Sequence, residues 1–182
     1  MSGPPEIKTL STKVVYANAW MTVREDAIER ADGSPGIYGV VDKPDFAVVA
    51  AIENGVIHLV EQFRYPLGRR FLELPQGSWP AGASGSPEAL ARTELREETG
   101  IEAREMLHLG KVHAGSGFMA QCYDVFLARG LAFGQAELEA EEQGLVTRAL
   151  PVDDVIQMIC RGEITDAPTL VAIGLLTLKG HL

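Results

Sequence analysis

TELREETGI, residues 93 to 101, places three glutamates within five positions: Glu94, Glu97 and Glu98. Ser86-Pro87 before this stretch and Gly100 near its end are typical of the first and last residues around a helix, so we predict a helix over residues 87 to 99. At about 100° per residue, Glu98 lies ~40° to one side of Glu94 and Glu97 lies ~60° to the other side. The three carboxylates therefore share one arc of the predicted helix.

This arc concentrates negative charge where a helix tolerates it poorly. Like charges three or four residues apart cost about 0.2–0.5 kcal/mol per pair, and Glu97 and Glu98 lie in the last turn, where the helix dipole disfavours an anion. Arg92 and Arg96 fall ~160° and ~200° from Glu94, so we expect neither to neutralise the acids within the helix. Two interpretations remain open: a solvated acidic face, or a site for a hard divalent cation that prefers carboxylate oxygens.

The hydrophobic pattern around this helix predicts a mixture of strands and helices. Strand-like runs cover KVVYANAWMTVRED (13–26) and GIYGVV (36–41), and Asn54-Gly55 between two apolar runs is a strong hairpin signal. The other predicted elements are strands over 106–114, 120–131 and 144–151 and helices over 153–162 and 166–179. Strands first, one helix in mid-chain and helices at the end indicate an α+β fold arranged as an α/β/α sandwich.

Length and composition narrow the classes of function. The 182 residues fit one domain of ordinary size with a full hydrophobic core. The net charge is −9 and no basic run occurs, which argues against nucleic acid or an anionic membrane as the main partner. Cys122 and Cys160 lack metal-motif spacing and the first residues lack a secretory signal, so we expect reduced thiols and a cytoplasmic protein.

The segment before the helix is rich in glycine. FLELPQGSWPAGASGSP reads as a strand, then Leu-Pro-Gln-Gly, then a loop with Gly77, Gly82 and Gly85. Glycines let the backbone approach a ligand closely. Loop and helix carboxylates together predict a site for a cation and a diphosphate.

On these residues the chain resembles the Nudix hydrolases, whose signature is G-x5-E-x7-R-E-U-x-E-E-x-G-U, with U an aliphatic residue. Gly77 matches the first glycine, and ELREETGI (94–101) matches the second half. Thr93 stands where the signature has arginine, Gly85 stands at its first glutamate, and the loop is about two residues longer. The flanks VEQFRYPLGRRFLELPQG, GFMAQCYDVFLARGL and RGEITDAPTLVAIGLL also resemble ADP-ribose and nucleotide-sugar pyrophosphatases.

The resemblance implies a Nudix fold with a mixed β-sheet over residues 46–182 and a strand-rich extension over residues 1–45 that contacts the partner of a homodimer. It implies hydrolysis of the pyrophosphate bond of a nucleoside diphosphate linked to a group X, of the ADP-ribose or nucleotide-sugar type. The products would be a nucleoside monophosphate and phosphoryl-X. The implied cofactor is Mg²⁺ or Mn²⁺, which can offset diphosphate charge and activate water.

We predict three groups of site residues. The metal ligands are the carboxylates of Glu94, Glu97 and Glu98 and, by resemblance, the backbone carbonyl of Gln76. The acidic segment AELEAEEQGLV (136–146) lies where related enzymes keep a catalytic glutamate, which favours Glu142 as the general base, with Glu141 next and Glu97 or Glu98 as alternatives. The predicted substrate-binding residues are Arg64, Arg69, Arg70, Glu73, Gly77 and Phe118, the arginines because their planar fork suits phosphate.

Alternatives to this function remain. Thr93 and Gly85 motivate a weak or inactive Nudix domain that senses a nucleotide ligand. Another possibility is a different Nudix reaction, on oxidised nucleoside triphosphates. Ser116 stands where ADP-ribose enzymes often have proline and Pro168 where nucleotide-sugar enzymes often have lysine, so the substrate stays open.

Overall fold

The computed structural model describes residues 6–79, 83–138 and 142–182. The strands are β1 Ile7–Ala17, β2 Thr22–Arg30, β3 Pro35–Asp42, β4 Phe46–Glu53, β5 Val56–Arg64, β6 Arg69–Glu73, β7 Gln76–Gly77, β8 Ile101–His113, β9 Cys122–Phe133 and β10 Val146–Pro151. The helices are α1 Pro87–Thr99, α2 Val152–Cys160 and α3 Ala167–Leu178.

The larger sheet has the order β10-β5-β4-β9-β8, with β6 beside β5 and β7 beside β4. β4 and β9 run parallel, whereas the other neighbours run antiparallel, so the sheet is mixed. The continuous apolar run of β4 is buried on both of its faces, as expected for a central strand covered on both sides.

Helices cover both faces of this sheet. On one face, Leu90 and Leu95 of α1 pack against the alternate β4 residues Ala47, Val49 and Ala51. On the other face, α2 and α3 pack their buried apolar side chains against the opposite residues of the same strands. The predicted α/β/α sandwich is confirmed, with α1 on one face of the sheet and α2 and α3 on the other.

Local signals located two elements correctly. Asn54 and Gly55 both have positive φ, 52° and 76°, and close the β4–β5 hairpin. The helix over 87–99 is confirmed: Ser86 Oγ accepts a hydrogen bond from the Ala89 amide at 3.1 Å, and Gly100 ends the helix at φ 71°.

The prediction of a single strand-like run over 13–26 is wrong. The run is broken into β1 and β2 by a tight turn at Asn18, whose side-chain Oδ1 accepts hydrogen bonds from the amides of Trp20 (2.9 Å) and Met21 (2.8 Å). An asparagine that caps its own following backbone in this way competes with strand pairing. Thr22 then pairs back onto Ala17.

The first three strands form a separate antiparallel sheet in the order β1-β2-β3. It joins the rest of the chain where the Val41 amide donates to the Phe118 carbonyl (2.9 Å) and the Tyr38 hydroxyl donates to the Gly117 carbonyl (3.0 Å). Every residue of β1 is exposed in the single chain. The division at residue 45 falls between the two sheets and stays a prediction. Among the described residues, no helix is long and apolar enough to cross a membrane.

Candidate active site

The predicted arc of α1 meets a third carboxylate from a distant loop. Carboxylate oxygens of Glu94, Glu98 and Glu142 all lie within 4.8 Å of one another. Glu142 comes from the segment before β10, where the Leu145 amide donates to the Glu142 carbonyl at 2.9 Å. We call these three residues the carboxylate cluster.

Glu98 is the buried centre of the carboxylate cluster, with 1% of its surface exposed. Burial raises the pKa of Glu98 well above its ordinary value, and the charges of Glu142 and Glu94 raise it further. A hydrogen bond from the Gln76 amide to Glu98 Oε2, 3.0 Å long, acts in the opposite direction. A positive charge beside Glu98 would therefore favour its ionised form.

The donor set fits a hard divalent cation. It consists of carboxylate oxygens from two different segments, which is the chemistry that Mg²⁺ and Mn²⁺ prefer over sites rich in sulfur or imidazole. A cation would also offset the repulsion that raises the pKa of Glu98.

β7 brings main chain directly against the carboxylate cluster. Gly77 pairs with Ala47 of β4, and a β-carbon at Gly77 would collide with the Glu94 carboxylate. The missing side chain at Gly77 therefore leaves room for the Glu94 carboxylate, while the approach of a ligand to this glycine stays a prediction. The structure brings the Gln76 amide to Glu98, while the role of the Gln76 carbonyl as a metal ligand stays a prediction.

A cleft of about 530 Å³ opens beside the carboxylate cluster. Gln76 and Gly77, which contact Glu98 and Glu94, form part of its wall. Other polar residues of the wall are Lys43, Arg64, Glu73, Gln121 and Asp166. The cleft is large enough for a small-molecule ligand with several phosphates.

Glu73 and Arg64 form an ion pair at the wall of the cleft. Arg64 Nη2 lies 2.6 Å from Glu73 Oε1, Arg64 Nε donates to Oε2 at 3.2 Å, and Gln62 Nε2 donates to Oε1 at 2.7 Å. Burial raises the pKa of Glu73, whereas Arg64 opposes that shift. Glu73 therefore fixes the direction of Arg64, whose half-exposed side chain faces the cleft.

Comparisons with known proteins place the chain in a family. A family profile described as the nucleoside diphosphate sugar hydrolase N-terminal domain matches residues 7–41. The ADP-ribose pyrophosphatase of Bacillus subtilis (strain 168) is 30% identical over 179 residues, covering 97% of this chain and 96% of the relative.

This chain belongs to the Nudix hydrolases. It is therefore an enzyme of the pyrophosphohydrolase type. The methanol dehydrogenase activator of Bacillus methanolicus is similar to the same degree, 30% over 97% of this chain and 96% of that protein. The crystal structure of an ADP compounds hydrolase matches the fold with a TM-score of 0.83 at 19% identity, covering 100% of this chain and 98% of that chain.

The Nudix signature divides between two environments in this chain. Glu94 and Glu98 point into the carboxylate cluster, but Glu97 does not belong to it and lies beside Arg96, with Arg96 Nη2 3.0 Å from Glu97 Oε1. The expectation that Arg96 cannot neutralise an acid of this helix is therefore wrong, because its long side chain bends back to the neighbouring carboxylate. Arg92 instead pairs with Glu88.

The loop between β7 and α1 departs from the signature at Gly85. A β-carbon at Gly85 would lie 2.8 Å from Trp79 Cζ2, so the indole packs on the main chain where other Nudix proteins carry the first glutamate of the signature. Gly82 of the same loop lies outside the described residues, as does Glu141, the alternative to Glu142 as general base.

The remaining predicted substrate residues lie outside the wall of the cleft. Arg69 stacks on Phe71 at 4.1 Å and donates to Thr165 Oγ1 at 3.1 Å, so it contacts two residues of the wall without lining the cleft itself. Arg70 points to the other side of β6, where its Nη2 donates to the carbonyl of Gly144 at 2.9 Å. Phe118 is half exposed in a neighbouring hollow that Tyr38 also lines. Their roles in binding stay predictions.

Sequence patterns gave no indication of some residues at the cleft. Lys43 and Gln121 line it, although nothing in their own segments marks them as site residues. Asp166 was predicted only as the first cap of α3, which it is, through hydrogen bonds from Thr169. Its carboxylate also accepts a hydrogen bond from Gln76 Nε2 at 3.4 Å and borders the cleft. The spacing of residues along the sequence does not show that Asp166, the N-cap of α3, lies close in space to Gln76.

Proposed function

We propose that this protein hydrolyses the pyrophosphate bond of a nucleoside diphosphate linked to a group X, in a reaction that depends on a divalent metal ion. The products are a nucleoside monophosphate and phosphoryl-X. The observation that carries the proposal is the carboxylate cluster beside the cleft. Three acids that contact the cleft wall through Gln76 and Gly77, beside cationic side chains in the cleft, suit a substrate that binds together with a cation.

Glu94 and Glu98 would hold Mg²⁺ or Mn²⁺, with Glu97 as an additional carboxylate ligand and the Gln76 carbonyl as a backbone ligand. When bound, such an ion offsets the charge of the diphosphate and lowers the pKa of a bound water. The Gln76 amide keeps the carboxylate of Glu98 in one orientation before the ion arrives.

The chain's own residues would supply binding and proton transfer. Arg64, held by Glu73, and Lys43 offer positive charge to the diphosphate in the cleft. The oxygen of a water bonds to one phosphorus, and the bond from that phosphorus to the bridging oxygen breaks, so that the bridging oxygen leaves with the other phosphoryl group. Glu142 accepts the proton of the water. Its half-buried carboxylate belongs to the cluster and comes from outside α1.

Two substrate types follow from the relatives. The name of the Bacillus subtilis relative favours ADP-ribose, and the profile over residues 7–41 favours nucleoside diphosphate sugars more broadly. The free thiols Cys122 and Cys160 fit a reducing compartment, so we expect the substrate to be a cytoplasmic metabolite.

A substrate panel tests the proposal. Purified protein with Mg²⁺ or Mn²⁺ is incubated with ADP-ribose, GDP-mannose, UDP-glucose and NADH, and the products are separated by chromatography. We expect release of a nucleoside monophosphate from at least one compound and loss of turnover in excess EDTA. Turnover that persists in EDTA would contradict the metal dependence. Absence of product from the whole panel and from other Nudix substrates would contradict the reaction itself.

The same panel separates the alternatives. A nucleotide that raises the melting temperature without yielding product would indicate a sensor, the interpretation motivated by Thr93 and Gly85. Pyrophosphate released from an oxidised nucleoside triphosphate would indicate the sanitising reaction. A nucleoside monophosphate from a diphosphate-linked substrate distinguishes the proposed reaction from both.

A homodimer is part of the proposal. In the single chain, β1 exposes large apolar side chains along its length, among them Leu10, Val14, Val15 and Tyr16. Several large apolar side chains exposed on one strand are typical of an interaction site. Residues 7–41 match a family profile that describes this N-terminal region as a separate domain, which supports a specific role for the β1-β2-β3 sheet. We propose that this sheet contacts a second copy of the chain.

Replacing Val14 by glutamate is expected to convert the dimer into monomers, because an unpaired carboxylate would be buried in an apolar contact. Sedimentation velocity or light scattering would show the mass fall from two chains to one. Val14→Thr is the control, since threonine keeps the β-branched shape and strand preference without a charge. A wild-type protein with the mass of a single chain at micromolar concentration would refute the dimer.

A further inference from the structure

The segment directly after β9 lies against the end of α1. We call residues 134–138 the strap. The Gly134 amide donates to the Gly100 carbonyl at 2.7 Å, and the Glu137 amide donates to the Glu97 carbonyl at 2.9 Å. A β-carbon at Gly100 would lie 2.6 Å from the Gly134 carbonyl oxygen, so the glycine that ends α1 also makes room for the strap. The strap leads along the chain toward Glu142.

Arg96 ties the strap to the helix through side chains. Its Nη1 lies 2.6 Å from Glu137 Oε2 and its Nη2 lies 3.0 Å from Glu97 Oε1, so one guanidinium bridges both carboxylates. On the far side of Glu142, the Gly144 carbonyl accepts a hydrogen bond from Arg70 Nη2 at 2.9 Å. Arginines thus contact Glu137, five residues before Glu142, and Gly144, two residues after it.

Thr93 makes this bridge informative. It stands where the Nudix signature has arginine, four residues before Glu97, so an arginine there would face Glu97 on the helix surface. Thr93 and Arg96 line the same hollow of about 280 Å³. The chain therefore carries its positively charged side chain about one helical turn later, on Arg96, beside the same Glu97 carboxylate.

We propose that Arg96 is a positioning residue that replaces the missing signature arginine, holding the Glu97 carboxylate and the strap residue Glu137 beside the end of α1. The inference rests on the proposed metal-dependent hydrolysis. Glu97 lies next to a cluster of like charge, and a fixed guanidinium both offsets its charge and limits its motion. Exposed ion pairs add little to folding stability, so the effect belongs in catalysis and metal binding.

Arg96→Ala is expected to lower kcat by about 10- to 100-fold and to weaken Mn²⁺ binding by about 10-fold, the usual range for a residue that orients ligands. KM should change little, because Arg96 lies outside the wall of the cleft. Mn²⁺ binding is measured on the protein alone by the loss of the free-ion signal in electron paramagnetic resonance, and the melting temperature is recorded with it.

Matched variants separate positioning from structure. Arg92→Ala removes another arginine of α1, which pairs with Glu88 and the Ala103 carbonyl, and it should leave kcat and Mn²⁺ affinity unchanged. The double variant Thr93→Arg with Arg96→Ala should recover at least half of the loss in log kcat. The new arginine returns a positively charged side chain to Glu97. Glu137→Gln should show a smaller loss than Arg96→Ala, since it cuts only the contact to the strap.

Three results would overturn the proposal: wild-type kcat in Arg96→Ala, an equal loss in Arg92→Ala, or no recovery on adding Thr93→Arg. Failure of the proposed function looks different. In that case the wild-type protein itself would bind no Mn²⁺ and release no nucleoside monophosphate.

Discussion

Replacing Glu98 by glutamine is expected to lower kcat/KM by about 10³-fold, because it removes a metal ligand from a site where the ion supplies several kcal/mol of transition-state stabilisation. Glutamine has nearly the same shape, and its carbonyl oxygen can still accept the hydrogen bond from the Gln76 amide. The fold should therefore remain intact. Steady-state kinetics with the best substrate of the panel, at several Mg²⁺ concentrations, measures the loss. Activity near that of the wild type would show that Glu98 is not a ligand.

The same variant has an opposite effect on the metal-free protein. The pKa of Glu98 is raised in the fold above its ordinary value of 4.5, so the folded state holds this proton more tightly than the unfolded state does. Stability from this group is therefore present at low pH and is lost as the pH rises from about that ordinary value through the raised pKa of the folded state. Glutamine carries no such charge, so Glu98→Gln should melt at a higher temperature than the wild type at pH 7.5 in EDTA.

Adding Mn²⁺ should reverse this order. The ion stabilises the wild type by binding only the folded state, and Glu98→Gln should lose most of that stabilisation. Glu102→Gln, at an exposed glutamate of β8, is the control and should behave as the wild type with and without the ion. If metal-free Glu98→Gln melts at a lower temperature than the wild type, burial and neighbouring charges do not destabilise the ionised Glu98 side chain in the folded protein.

Replacing Glu142 by glutamine is expected to lower kcat by about 10²- to 10⁴-fold, the contribution usual for a general base. The physical reason is that glutamine cannot accept the proton of the attacking water. The pH dependence of kcat provides the second measurement, because the acid limb that reports the base should disappear in the variant. Loss of less than about tenfold would move the role of base to Glu97 or Glu98.

Mn²⁺ binding distinguishes the two roles that the position of Glu142 allows. Its carboxylate lies within 4.8 Å of ligand atoms of Glu94 and Glu98, close enough to hold the ion as well as to accept a proton. A general base predicts a large fall in kcat with Mn²⁺ affinity kept. A metal ligand predicts that the affinity and kcat fall together, which would contradict the assignment as base. Glu102→Gln, at the exposed glutamate of β8, controls for loss of a negative charge away from the cluster.

The sequence by itself determined the features that depend on near neighbours along the chain. Ser86 and Gly100 set the ends of α1, and the helical period then fixed Glu94 and Glu98 on one arc. Asn54-Gly55 set the β4–β5 hairpin because few residues accept positive φ at both positions. These are short-range steric and hydrogen-bonding preferences, so a stretch of a few residues contains the information. The turn at Asn18 was of the same kind and was missed, since its side-chain cap was hidden in an apolar run.

Only the tertiary structure decided how distant segments complete the site. It brought Glu142 to within ligand reach of α1 across more than forty residues of chain, placed Lys43, Gln121 and Asp166 around one cleft, and turned Arg96 back onto Glu97 and Glu137. Such contacts depend on which strands are neighbours in the sheet and on the direction of long side chains. Neither of these leaves a periodic signal in the sequence, because the energy of each contact comes from groups that the packing of the whole sandwich brings together.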